Sequence, residues 1–311
     1  MTTSEAGAAR IAKAAEQLAR ARKLAEGPPE PRIYYQDTHV TLWCGDMRDV
    51  LPILAKQGKR FAACITDPPY QETSLDWDRW QEGWLGLVAQ VTDSTWCWGS
   101  ARMFGVRWAE FAAAGWKLSQ DVVGADDDGT PILRDRVAVW EKGNGSGAVN
   151  DRFRRVHEYA YHWYTGLWRG IYHETPRVPA VGSRLRPGEV VQRRDGRVTH
   201  QGDWIAKPYV NDGTRLMRSV IYASNMRGRA IHPTEKPAAV LIPLIEYSVP
   251  PGGTVLDVFA GSCSLGLAIR ELNSREPDPA RHRRAVLIEA DEAMCAKAVE
   301  KRLSHADLFT A

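Results

Sequence analysis

Near both ends of this chain, short apolar segments of strand length alternate with segments at helical spacing, and this alternation leaves few folds open. A strand that feeds a helix and then a second strand lies parallel to it, so the pattern implies a parallel sheet covered by helices on both faces. In the first half, strands are expected at 40–44, 61–65 and 95–98, with helices around 50–56 and at 84–91. Strand candidates follow at 137–140 and, rich in aromatics, at 159–164. The alternation resumes with a helix at 237–249, a strand at 254–258, a helix through 265–272, a strand at 285–288 and a closing helix at 291–303. Pro243 falls inside the first of these helices and should kink or shorten it. The fold class expected is α/β, with a doubly wound, mostly parallel sheet.

Between the two stretches, residues 165–230 are rich in Arg, Gly and Pro and hold little long periodicity, which marks an inserted module. That segment carries 12 Lys and Arg against 5 Asp and Glu, whereas the whole 311-residue chain has a net charge of only +3. The basic surface is therefore local, and it suits a polyanionic partner. The division expected is an N-terminal accessory helix at 1–28, a first half of the core at 29–164, the module at 165–230 and a second half of the core at 231–311. Within the first of these, Ile11, Ala14, Ala15, Leu18, Ala21 and Ala25 stand near helical spacing before Gly27-Pro28-Pro29, as in a helix that packs on the core or pairs two copies into a homodimer.

Apolar residues make up 44% of the chain, enough for a sizeable core, yet no stretch approaches the roughly 20 apolar residues that cross a bilayer. Glu5, Glu16 and Glu26 argue against a secretory or transit peptide, so the expected location is the cytoplasm of a bacterial or phage-infected cell, with no membrane partner. Cys44, Cys64, Cys97, Cys263 and Cys295 are scattered without a C-x-x-C pair, and His157 and His162 have no further ligand type at suitable spacing. No metal is expected.

Two segments carry chemistry. Asp67-Pro68-Pro69-Tyr70 directly follows an apolar strand, where ligands bind in open parallel sheets. The prolines restrict the backbone, so that the acid and the ring project in a fixed geometry. Such a tetrapeptide suits methyl transfer to an aryl amine, whose lone pair is delocalised into its ring. Acceptance of hydrogen bonds by the Asp67 carboxylate and the Pro68 carbonyl localises that lone pair, and Tyr70 stacks on the base. A plain surface turn is the competing explanation of these four residues alone. The second segment, Asp257-Val258-Phe259-Ala260-Gly261-Ser262-Cys263-Ser264, ends a strand in a turn of small residues and opens a helix, with Glu289 at the end of the next strand. Close backbone approach and a carboxylate for ribose hydroxyls follow from that geometry, although many α/β proteins contain one such junction. Trp77, Trp80 and Trp84 recur at intervals of three and four, the spacing of one helix face, suited to core packing or to closing over DNA.

Taken in order, these segments resemble the amino-methyltransferases of DNA in their circularly permuted beta class. The resemblance spans about residues 33–303 and includes Gly45-Asp46, Trp140-Glu141-Lys142, His157-Glu158-Tyr159 and His232-Pro233-Thr234-Glu235-Lys236-Pro237. It implies a Rossmann-like S-adenosylmethionine-dependent methyltransferase fold with an inserted target-recognition module. It also implies that Asp67 and Tyr70 bind a flipped base, that Phe259, Ala260, Gly261, Ser262, Cys263 and Ser264 hold the methionine end of the cofactor, and that Glu289 takes the ribose. Asp46 is implied near the cofactor adenine, and Thr234, Glu235, Lys236 and Pro237 in a segment closing over the methionine. Double-stranded DNA is the implied partner, with Arg184, Arg186, Arg193, Arg194 and Arg197 as contacts to phosphates or guanine edges. Asp at the first tetrapeptide position favours adenine N6 as the methyl acceptor; N4 of cytosine is the alternative. A non-catalytic DNA-binding protein of the same fold is a third reading, because the family usually has a second glycine where this chain has Cys263, which would hinder cofactor approach.

Overall fold

A computed structural model describes residues 30–304, apart from 126–130, 136, 147–152, 182–185, 192–195, 199–201, 205–207, 225, 227–229 and 233. The N-terminal accessory helix expected at 1–28 lies outside the described residues. The chain enters through β1 (Arg32–Gln36) and β2 (Val40–Cys44), then helix α1 (Met47–Lys56), β3 (Ala63–Thr66), α2 (Trp84–Ala89), β4 (Ser94–Gly99) and α3 (Ala101–Ala113). Two short strands, β5 (Lys117–Leu118) and β6 (Gln120–Ala125), precede β7 (Pro131–Asp135), β8 (Val137–Ser146) and β9 (Arg155–Tyr164). The central sheet runs β1-β2, continues through two strands from the C-terminal part, and then through β3-β4-β9-β8.

Residues 177–216 form nested antiparallel ladders: β10 (Arg177–Pro179), β11 (Val190–Val191), β12 (Gly196–Val198), β13 (Gly202–Trp204), β14 (Tyr209–Val210) and β15 (Thr214–Leu216). In these ladders β10 pairs with β15, β11 with β14 and β12 with β13. The module thus folds back on itself as one long interrupted hairpin. Its expected end at residue 230 overshoots, because β16 (Val220–Ala223) joins the central sheet beside β8 in parallel register. The alternation of Ile221 and Ala223 inward with Val220 and Tyr222 outward explains the docking of one face.

The remaining elements are α4 (Ala238–Ser248), β17 (Thr254–Asp257), α5 (Ser264–Asn273), β18 (Arg284–Glu289) and α6 (Glu292–Ala298), which continues into a π-helical turn (Val299–Leu303). Helix α4 runs through Pro243 rather than ending there. Strands β2, β18, β17, β3 and β4 are mutually parallel, whereas β9 is antiparallel to both β4 and β8. Side chains of α4, α5 and α6 build one apolar layer of the core and those of α1, α2 and α3 build the other, which is the doubly wound arrangement expected. Helix α3 was not anticipated, although its signals are in the sequence. Ser100 caps it by accepting a hydrogen bond from the Met103 N–H at 2.9 Å, and Gly115, at φ +84°, ends it.

From β3 the chain moves to β4 on one side, and from β17 to β18 on the other, although β3 and β17 are neighbours. The strand order therefore reverses between them, and the crevice beyond their C-terminal ends is where a parallel sheet binds ligands. Both chemistry-bearing segments leave the sheet at that point.

Candidate active site

The crevice is a cavity of about 500 Å³, within the usual range for ligand sites. The sequence-predicted residues Asp46, Asp67, Pro68, Pro69, Tyr70, Thr234, Glu235, Lys236, Asp257, Phe259, Ala260, Gly261, Ser262, Ser264 and Glu289 all line it. Tertiary structure thus brings together five separate stretches of chain. Pro237 and Cys263 stand outside this lining.

On the β3 side, the Tyr70 hydroxyl donates to Asp67 Oδ1, and the Lys236 ammonium donates to Asp67 Oδ2. Burial and the negative charge of Asp67 push the Tyr70 phenol well above its ordinary pKa, so the ring enters the site as a neutral donor. The turn is held open by Asp78. Its buried carboxylate accepts the N–H groups of Gln71, Glu72 and Thr73 at 2.8, 2.9 and 2.6 Å, while Gln71 adopts φ +60°. A buried carboxylate thus fastens the loop that directly follows the tetrapeptide.

On the β17 side, Glu289 accepts the Gly261 N–H at 2.8 Å through Oε2 and the Asp291 N–H at 2.8 Å through Oε1. The carboxylate expected at a ribose therefore also fastens the small-residue turn. Cys263 adopts φ +60° and ψ 29°, a backbone conformation that costs a non-glycine residue roughly 1–2 kcal/mol. Its side chain is fully buried in the core, so the expected obstruction of backbone approach does not arise from its sulfur. Burial also raises the Cys263 pKa well above its ordinary value, which keeps the thiol neutral.

Asp46 caps α1 by accepting the Arg48 N–H at 2.8 Å, and pairs with the Arg48 guanidinium at 2.5 Å. Glu235, expected over the methionine, has its carboxylate taken up by the Ile231 N–H at 2.9 Å and by Arg302 at 3.0 Å. It braces the 231–237 segment against the π-helical turn. Lys236 reaches Asp67, stands 3.3 Å from Glu158 and lies 5.5 Å from the centre of the Trp98 ring. Trp98 and Glu158 line the cavity without having been singled out as site residues. Glu158 lay within a quoted motif and Trp98 at the end of an expected strand, and neither position reveals which wall it forms.

The tryptophan triplet is corrected. Only Trp84 lies on a helix; Trp77 and Trp80 belong to the loop before α2. Trp80 and Trp84 pack in the core, and Trp77 instead meets the His232 ring across the cavity, with centroids 5.2 Å apart. The loop is fastened by Asp78 rather than by helical hydrogen bonds, which is why the period of three and four misleads here. Of the module arginines, Arg184, Arg193 and Arg194 lie outside the described residues, as does the side chain of Arg197, while Arg186 is exposed.

Asp257 accepts the Thr66 hydroxyl at 2.7 Å and the Phe259 N–H at 3.1 Å, and burial raises its pKa to about 7. Between the ordinary carboxylate range and pH 7 the folded chain therefore holds a proton that the unfolded chain has lost. Stability from this group is complete below pH 4 and falls as pH rises toward 7, by an amount on the order of a few kcal/mol. Asp257→Asn keeps an oxygen acceptor and removes the titration. We expect it to match the unsubstituted protein in urea midpoint at pH 5 and to exceed it at pH 8; an unchanged difference between the two pH values would refute the shift.

A family model described as DNA methylase matches residues 61–300. Among solved structures, the chain is similar to the M1.HpyAVI–SAM complex at 18% identity and a TM-score of 0.52, covering 84% of this chain and 99% of that one. It is also similar to the PvuII DNA methyltransferase (cytosine-N4-specific) at 12% identity and a TM-score of 0.52, covering 90% and 94%. At these identities the two likenesses concern the fold.

Proposed function

The chain belongs to the N6/N4 DNA methylase family, and from that premise we propose that it transfers a methyl group from S-adenosylmethionine to adenine N6 in double-stranded DNA. One observation carries this assignment: Asp67-Pro68-Pro69-Tyr70 and the 257–264 turn open into the same cavity from adjacent parallel strands. The residues fit the donor. Asp46, Asp257 and Glu289 face the cavity on the turn side and offer oxygen acceptors to a cofactor's hydroxyl and ammonium groups, and Glu289, at the end of β18 beside the turn, is assigned to the ribose.

S-adenosylmethionine, when bound, supplies a methyl carbon on a sulfonium that takes the C–S electron pair as the amine lone pair forms the new C–N bond. Asp67 accepts a hydrogen bond from the amine, together with the Pro68 carbonyl, and so concentrates the lone pair on nitrogen before transfer. The same carboxylate receives the proton that the amine gives up afterwards. Tyr70 holds the flipped base by its ring and orients Asp67 by its hydroxyl. Extrusion of a base costs a few kcal/mol of stacking and pairing, which contacts from the basic 165–230 module offset.

Adenine is assigned because the tetrapeptide begins with Asp. Expressed in a bacterium without DNA methylation of its own, the protein is expected to leave N6-methyladenine in a defined short sequence. Nucleoside mass spectrometry separates this product from N4-methylcytosine, and single-molecule sequencing locates it. N4-methylcytosine would overturn the adenine assignment, and unmodified DNA despite cofactor and DNA binding would leave the non-catalytic alternative standing.

A further inference from the structure

Four charged side chains from separate parts of the chain meet beside the tetrapeptide. Asp67 pairs with Lys236, Lys236 with Glu158, and Glu158 with Lys142. Lys236 is 6% exposed, and Asp67 and Glu158 are 18% and 14% exposed, so little water screens them. The two carboxylates do not hold Lys236 alike. Asp67 Oδ2 accepts a hydrogen bond from Nζ, whereas buried Glu158 Oε2 meets Nζ only in a longer ion pair of 3.3 Å without hydrogen-bond alignment. Glu158 Oε1 is already occupied by Lys142.

This asymmetry bears on the methyl transfer proposed above, on which the inference rests. Positive charge grows on the acceptor nitrogen as the new bond forms, and an ammonium on Asp67 both repels that charge and draws electron density from the carboxylate that must accept the amine proton. Departure of Lys236 from Asp67 weakens both effects and frees Asp67 Oδ2 to accept from the amine. A buried acceptor gains from a well-aligned donor, so Glu158 Oε2, which holds Nζ only at 3.3 Å, offers a ready destination.

We propose that Lys236 is a positioning residue with two stations: its ammonium rests on Asp67 while the base pocket is empty, and moves to Glu158 Oε2 when the target base enters. Glu158 is the second station, and Lys142 keeps its other oxygen fixed. Burial opposes the charge on Lys236, yet the Asp67 and Glu158 carboxylates outweigh it and raise its pKa, so the group moves as an ammonium. Burial likewise opposes the charge on Glu158, but Lys236 and Lys142 hold its carboxyl at about 2, which keeps the second station ionised.

The test is a double-mutant cycle on methyl transfer, with S-adenosylmethionine affinity by calorimetry alongside. Glu158→Gln is expected to lower kcat roughly 10- to 100-fold with cofactor affinity unchanged, because Lys236 then stays on Asp67. Adding Lys236→Met to Glu158→Gln is expected to recover part of that loss, since no ammonium then competes for Asp67. A structural brace predicts the opposite, and a double variant as slow as Glu158→Gln or slower overturns the proposal. A crystal structure of the unsubstituted protein with its target duplex and S-adenosylhomocysteine gives a reading independent of turnover. Nζ away from Asp67 and closer to Glu158 Oε2 than the present 3.3 Å supports the two stations; Nζ still on Asp67 refutes them. If the unsubstituted protein methylates no DNA, the function fails and this role with it, whereas a methylating protein without recovery in the cycle fails the positioning role alone.

Discussion

Asp67→Ala is expected to lower the rate of methyl transfer by roughly 100- to 1,000-fold, the loss typical of removing one preorganised hydrogen-bonding group from the site of developing charge. Cofactor affinity should stay within a few-fold, because Asp67 belongs to the β3 side of the cavity and Glu289 and the 257–264 turn to the β17 side. Some stability should also be lost. Asp67 is one of two carboxylates beside Lys236, and its removal leaves that buried ammonium with Glu158 and strands the Tyr70 hydroxyl. Asp67→Asn separates the two effects, since the amide keeps the shape and one acceptor oxygen but not the charge. Single-turnover transfer of a labelled methyl group, measured with each variant saturated in cofactor and DNA, checks the expectation. A rate within tenfold of the unsubstituted protein for Asp67→Ala would remove the carboxylate from the mechanism.

The largest loss of stability is expected from Trp84→Ala. The Trp84 ring is fully buried and packs edge-on against Trp80, Phe111 and Phe259, with centroids 6.0, 6.2 and 5.5 Å away. Truncation removes the transfer energy of the ring and leaves a cavity, together costing about 3–5 kcal/mol. Because Phe259 belongs to the turn that lines the site, weaker cofactor binding should accompany the loss. Trp84→Phe is expected to cost much less. The indole N–H of Trp84 is buried with no hydrogen-bond partner, so the smaller ring gives up packing area but also deletes an unsatisfied donor. Urea unfolding of the three proteins gives the comparison, and equal losses for Ala and Phe would mean that the contact with Phe259 is not what the ring supplies.

Local sequence carried most strands and helices of the core to within a few residues, although β1 and α3 were missed and β8 runs six residues beyond its expected end. Alternating burial in β2 and the apolar faces of α1 and α5 are periodic signals, while β3 and β4, buried throughout, are strand-length runs bounded by polar or turn residues. Where a nonlocal contact replaced the local rule, the expectation failed. The Trp77–Trp80–Trp84 spacing looks helical, but Asp78 takes three loop N–H groups and fixes the segment as a loop. Strand β16 was assigned to the module because its neighbours are Arg- and Gly-rich, yet its partner is β8, some eighty residues earlier.

By itself, then, the sequence determined the α/β class, the order of most core elements, the tetrapeptide at the end of β3 and the small-residue turn at the end of β17. Each of these is a property of neighbouring residues: periodicity selects strand or helix, and proline and glycine restrict or free a few dihedral angles. Only the tertiary structure decided that the strand order reverses between β3 and β17, so that Asp67 and Asp257 share one cavity. It alone decided that Lys236 lies on Asp67, 169 positions away in the chain, with Glu158 beside it. Such contacts depend on which strands become neighbours, and that choice is made by burial of the whole sheet between two layers of helices rather than by any segment's own preference.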